Sequence, residues 1–191
     1  MDKTVYLIRH CETSGQAPDA PLTPKGIEQA EALGEWLFEK SIGRIVSSPY
    51  VRACQSVAPL ADRLGLPLET DERLIERALS GTSLPDWKDR LAASFTDPDQ
   101  CLPGGESSRA AMARGVAAIR DALSHPATTT VIVTHGNLLA LLLKHFDDAV
   151  GFAEWERLTN PDVYRVRYVG GATHVERLVQ EMPTRRSDTV R

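Results

Sequence analysis

Three times along the chain an apolar run passes directly into polar residues and then into a helix signal. Val5-Tyr6-Leu7-Ile8 runs into Arg9-His10, Arg44-Ile45-Val46 into Ser47-Ser48-Pro49, and Thr130-Val131-Ile132-Val133 into Thr134-His135-Gly136. Short runs this rich in β-branched and aromatic residues read as buried strands. Between them the apolar residues fall at helical spacing. Thr23-Pro24 supplies an N-cap and a first helical residue ahead of Ile27, Ala30, Leu33, Leu37 and Phe38. Ser47-Ser48-Pro49 opens a helix with Val51, Cys54, Ala58, Ala61 and Leu64 toward the core, and Pro59 is expected to kink or divide it. Ser107 caps a helix bearing Met112, Val116, Ile119 and Leu123, and Gly136 permits a tight turn into Leu138 to Leu143. Leu66 to Thr70 reads as a short strand. Val163 to Val169 alternates with Tyr164, Val166 and Tyr168 on one face, Gly170-Gly171 suits a hairpin turn, and Thr173 to Val179 returns.

Strands alternating with helices predict an α/β fold: three α/β/α layers around a central, mainly parallel sheet, with the C-terminal hairpin adding antiparallel edges. One domain is expected over 1–180, with 181–191 a polar, flexible tail. The segment 71–105 holds a small helix near Trp87 to Phe95 and reads as a lid or substrate-selecting excursion. In open α/β sheets ligands bind beyond the carboxyl ends of the strands. Three such ends would pool Arg9, His10, Arg52 and His135, beside a loop, Glu12 to Pro21, suited to gripping an anion. Arginine forks onto phosphate oxygens, and neutral imidazole serves as nucleophile or proton carrier, so this quartet points to phosphoryl chemistry. Arg52 also falls in the first turn of its helix, where backbone N–H groups favour an anion.

A formal charge of -4 argues against a general nucleic-acid surface but leaves room for a local cationic pocket. The three cysteines, Cys11, Cys54 and Cys101, are far apart and form no disulfide framework. With no signal peptide and no membrane-length apolar run, a cytoplasmic protein is expected, with no membrane partner. His125, His145 and His174 sit by a proline, on a helix end and in a hairpin, and receive no chemistry.

Leu7-Ile8-Arg9-His10-Cys11-Glu12-Thr13, Leu22-Thr23-Pro24-Lys25-Gly26, Ser47-Ser48-Pro49-Tyr50-Val51-Arg52-Ala53, Glu76 and Val133-Thr134-His135-Gly136 together resemble the histidine phosphatase superfamily, also called phosphoglycerate mutase-like. The motifs fall in family order and cover all but the tail. The resemblance implies a phosphomonoester hydrolase acting on a small phosphorylated metabolite without metal or cofactor. His10 would attack phosphorus, Arg9, Arg52 and His135 would hold its oxygens, and Glu76 would protonate the leaving oxygen and then activate water. Thr13 and Gln16 would add neutral donors to the substrate. The sequence departs from the family at Cys11, where glycine is usual, and at Ser80-Gly81, where the glycine after the acid falls one place late.

Two rivals come with the resemblance. A cofactor-dependent phosphoglycerate mutase shares the core, but mutases tend to carry longer insertions and a Trp-Asn pair at the position of Gln16. A non-catalytic module binding a phospho-ligand or partner would not need Glu76. A cysteine-nucleophile phosphatase needs arginine six residues after its cysteine, where this chain has Ala17, Leu60 and Ser107. A metal-dependent hydrolase needs closely spaced ligands, which the sequence lacks. The sequence does not distinguish monomer from homodimer.

Overall fold

The structure, a computed structural model, describes residues 2–178. Its centre is a six-stranded sheet of order β3-β2-β4-β1-β5-β6. The strands are β1 (Lys3–Arg9), β2 (Arg44–Ser47), β3 (Leu68–Thr70), β4 (Thr129–Thr134), β5 (Asp162–Val169) and β6 (Ala172–Arg177). Strands β1 to β4 pair in parallel, while β5 and β6 run antiparallel. The helices are α1 (Pro24–Phe38), α2 (Val51–Leu64), α3 (Trp87–Thr96), α4 (Ser108–Ser124), α5 (Gly136–Phe146) and α6 (Phe152–Glu156). The hairpin returns as β6, and only its expected end at Val179 and the tail at 181–191 lie outside the described residues.

The two-residue period of the strands builds two cores. Val5, Leu7, Val46, Ile132 and Val166 face one side with residues of α3, α4 and α5. Tyr6, Ile8, Ile45, Val131, Val133 and Val163 face the other with α1 and α2. Both faces of the central strands are therefore apolar, as a covered parallel sheet requires. At the hairpin, Gly170 and Gly171 adopt φ of +58° and +86°, conformations open to glycine.

Several helix faces differ from those expected. In α1 the buried residues are Gly26, Ala30, Leu33, Gly34 and Leu37, while Ile27 and Phe38 are exposed. Gly26 packs where a Cβ would lie 2.0 Å from the Glu12 carbonyl oxygen, and this close approach turns Ile27 outward. In α2 the buried stripe is Arg52, Ala53, Ser56, Val57, Leu60 and Ala61, one residue out of register with the apolar pattern. Arg52 and Ser56 take the inward places because their polar atoms are used inside the molecule. The helix starts at Val51, not at Ser48-Pro49, and continues through Pro59 undivided. There α1 packs against it, with Gly34 so close that a Cβ would lie 3.2 Å from the Leu60 nitrogen, and tertiary packing overrides the proline. The other helix signals are realised as read: Thr23 and Ser107 cap α1 and α4 by accepting from the N–H groups of Gly26 and Ala110. Helix α6, only five residues long, was not anticipated.

Candidate active site

Strand β1 ends at Arg9, and His10 follows in the crevice between β1 and β4, its N–H bonded to the Thr134 carbonyl. The His10 side chain is 5% exposed. Its Nδ1 lies 2.7 Å from the Cys11 carbonyl oxygen. A carbonyl can only accept, so Nδ1 carries the proton and Nε2 presents a lone pair. Burial pushes the imidazole down to about 4; the Cys11 hydrogen bond opposes this, and the charges of Arg52 and Arg9 reinforce it. The ring is therefore neutral at physiological pH.

Arg52 Nε donates to His10 Nε2 at 3.3 Å, and Nη1 donates to the carbonyls of Gln16 and Ala17 at 3.1 and 2.8 Å. Its guanidinium also lies 4.9 Å from the centre of the Tyr50 ring. Arg9 Nη1 donates to the Leu158 carbonyl at 3.0 Å, while its Nε is buried without a protein partner among the described residues. Burial lowers the pKa of both arginines, yet both keep their charge, since arginine starts far above neutrality. His135 closes the group, 5.1 Å from His10 between ring centres. Its Nε2 meets the Ser48 hydroxyl at 2.8 Å, and its Nδ1 is buried without a protein partner among the described residues. Burial first, then the neighbouring His10 and arginines, hold His135 well below its ordinary pKa. Two neutral imidazoles thus sit among two fixed cations, a field suited to a phosphate dianion.

Glu76 lies at the start of α5. Its carboxylate accepts from the backbone N–H groups of Asn137 and Leu138, at 2.9 and 3.0 Å, and of its own neighbour Arg77 at 2.8 Å. The helix end that receives it supplies positive potential as well as donors. Gly136 begins this helix not as a left-handed turn but as a close approach: a Cβ there would lie 3.1 Å from the Arg9 guanidinium. Gly81, displaced by one place in the sequence, packs against Gly104, where a Cβ would lie 3.0 Å from the Gly104 Cα. It straps the 71–105 segment to itself.

The loop residues divide. Gln16 lines the cleft and is exposed. The Thr13 hydroxyl lies 3.1 and 3.0 Å from the carbonyls of Gly15 and Pro21, and so holds the loop together. Cys11 is fully buried in the α1/α2 core with no positive φ, its N–H on the Ser56 hydroxyl at 2.8 Å. Burial raises its thiol to about 12, so it is an inert core residue and not a lining of the site.

Beside this polar cluster, meeting it at Arg9, Gln16 and Glu76, opens a cleft of about 640 Å³ whose further lining includes Arg77, Leu79, Trp87, Leu91 and Trp155. The apolar pattern pointed to none of Ser48, Tyr50, Asn137, Trp155 or Asn160. Asn137 is 7% exposed, and both its amide atoms lack protein partners among the described residues. Asn160 donates to the His10 carbonyl at 2.7 Å. The Ser-Ser-Pro-Tyr and His-Gly-Asn neighbourhoods could have signalled the first three; Trp155 and Asn160 belong to a region without periodicity. Among the described residues no group of three or more His, Cys, Asp or Glu is placed to hold a metal ion, and no helix is long and apolar enough to cross a membrane.

The family model of the histidine phosphatase superfamily (branch 1) matches residues 5–181. The protein of Proteus mirabilis named "Probable phosphoglycerate mutase GpmB" is 32% identical, over 86% of this chain and 84% of its own. Among solved structures, Bacillus stearothermophilus YhfR superposes with a TM-score of 0.75 at 28% identity, covering 92% of this chain and 96% of its own. A mycobacterial glucosyl-3-phosphoglycerate phosphatase superposes with a TM-score of 0.74 at 25% identity, covering 93% and 97%.

Proposed function

The chain belongs to the histidine phosphatase superfamily, branch 1, and from that premise we propose that it hydrolyses phosphomonoesters of small metabolites through a phosphohistidine at His10. The observation that carries this reading is the lone pair at Nε2 of a neutral imidazole, met by the Arg52 guanidinium, with the opposite nitrogen fixed on the Cys11 carbonyl. A phosphate entering the site draws the Arg52 guanidinium from that lone pair onto its own oxygens, with Arg9 and His135 taking the others. Nε2 then bonds to phosphorus as the ester P–O bond breaks, and Glu76 passes to the departing oxygen a proton brought in by the monoanionic form of the ester. The Nδ1–H bond to Cys11 supports the positive charge that develops on the ring. Water next attacks phosphorus, Glu76 takes its proton, and the Nε2–P bond breaks to free phosphate and restore the lone pair.

Phosphate release from a panel of phosphomonoesters, with chelator present, tests this. Turnover by the wild type and none by His10→Ala is the expected result; equal rates would sink the phosphohistidine assignment. The GpmB relatives support a second reading, a mutase that returns the phosphoryl group to another hydroxyl of the substrate. Interconversion of 3- and 2-phosphoglycerate without phosphate release would favour it. The absence of a Trp-Asn pair around Gln16 favours the hydrolase.

A further inference from the structure

The cleft adjoins the phosphate site at Arg9, Gln16 and Glu76, and the rest of its lining lies beyond the phosphate-binding side chains. A volume of about 640 Å³ is within the range that encloses ligands of drug size, and a three-carbon phosphate ester would leave most of it to water. Its walls are mostly apolar, Leu79 and Leu91 with Trp87 from α3 and Trp155 from α6, beside an Arg77 whose guanidinium is held on the Glu106 carbonyl and the Ser94 hydroxyl. The two indoles meet edge to face, 6.1 Å between centres and at 82°. Trp155 is backed by Phe152, stacked at 5.3 Å, and Phe152 leans on Phe95 of the core. Among the described residues no ring stacks on Trp87, which remains 48% exposed. Both rings also line a second hollow of about 290 Å³ that reaches Arg9. The contacts among these rings shape the wall before any ligand arrives, and the exposed Lys88–Glu156 pair, 2.6 Å apart, joins α3 to α6 beside them.

An exposed tryptophan held by its edge at the mouth of a preformed cleft leaves a large π surface without a partner. We propose that Trp87 and Trp155 select the substrate, a phosphomonoester whose alcohol carries a flat, largely apolar ring a bond or two from the phosphate. This rests on the hydrolase reading above. The ring would stack on one indole and meet the edge of the other while the ester oxygen reaches Glu76, an arrangement that the 71–105 segment and α6 create jointly.

The test compares 2-naphthylmethyl phosphate with glycerol 3-phosphate, whose leaving groups are both aliphatic alcohols, so that the ratio of kcat/KM reports recognition rather than leaving-group reactivity. The wild type is expected to prefer the naphthylmethyl ester by at least about tenfold, chiefly through KM, and Trp87→Ala to reduce that ratio about tenfold. Trp87→Phe should retain most of it. A wild-type ratio of one or less, or a parallel fall for both esters in Trp87→Ala and Trp155→Ala, overturns the proposal. If the wild type hydrolyses neither ester, calorimetry with 2-naphthylmethylphosphonate separates the two readings. Binding weakened about tenfold in Trp87→Ala keeps the aromatic selection and discards the hydrolase, whereas no binding discards the selection.

Discussion

Arg52 shows how much one side chain can be asked to do. It is 1% exposed, yet it bonds a histidine nitrogen and two loop carbonyls and lies against an aromatic ring. Because it faces the proposed nucleophile His10 directly, Arg52→Ala should lower kcat/KM at least about a hundredfold, or roughly 2.7 kcal/mol of barrier. Arg52→Lys should not restore it, since an ammonium lacks the planar fork. Steady-state kinetics beside a melting curve check this, and a folded Arg52→Ala with near-native turnover would remove Arg52 from the reaction. Arg52 could be read in the sequence from its place after a strand end, although the apolar pattern put its neighbours inward instead. Asn137 and Ser48 have no periodic signature, since a single buried amide or hydroxyl shows none, and only the His-Gly-Asn and Ser-Ser-Pro-Tyr motifs around them could have pointed to them.

At the scale of elements the site depends on close approaches between segments distant in the chain. Loop 10–21 is seated on α1 at Gly26, where a Cβ would come within 2.0 Å of a backbone oxygen. Gly26→Ala should therefore shift the loop and destabilise the protein by about 1–3 kcal/mol, seen as a lower melting temperature together with reduced activity. An unchanged melting point would mean that the loop yields freely. Thr23-Pro24 announced α1 through its cap, and Ser107 announced α4, because capping is local chemistry. Pro59 misled for the converse reason: whether a proline breaks a helix depends on what packs against it, here Gly34 of α1. Helix α6 has too few residues to display a period, yet it brings Trp155 to the cleft, and the turn after it brings the carbonyl of Leu158 to Arg9.

For the molecule as a whole, the buried neutral histidines make stability depend on pH. His10 titrates at about 4 in the fold against an ordinary 6.5, and His135 lies well below 6.5. Between these values the unfolded chain binds protons that the folded one refuses, so stability falls as pH drops from 6.5 through about 4 and is regained as pH rises. Melting temperatures between pH 7 and pH 4.5 should show this decline, with a shallower slope in His10→Gln; equal slopes would mean that His10 is not held neutral by the fold. The layered α/β architecture was legible because each parallel strand reads as an apolar run. The strand order was not, since any arrangement of such runs buries similar surface.

The reversal of β5 beside β1 has its own consequence. Asp162 pairs with Arg9 at the end that holds the candidate site, so the chain that leads into β5 lands on it, whereas Val169 and the two glycines fall at the opposite end. Seven strand steps separate them, roughly 20 Å. Insertions before β5 are therefore changes to the chemistry, while the Gly170-Gly171 turn is a place where a loop, label or second module could be grafted with the reaction centre left undisturbed.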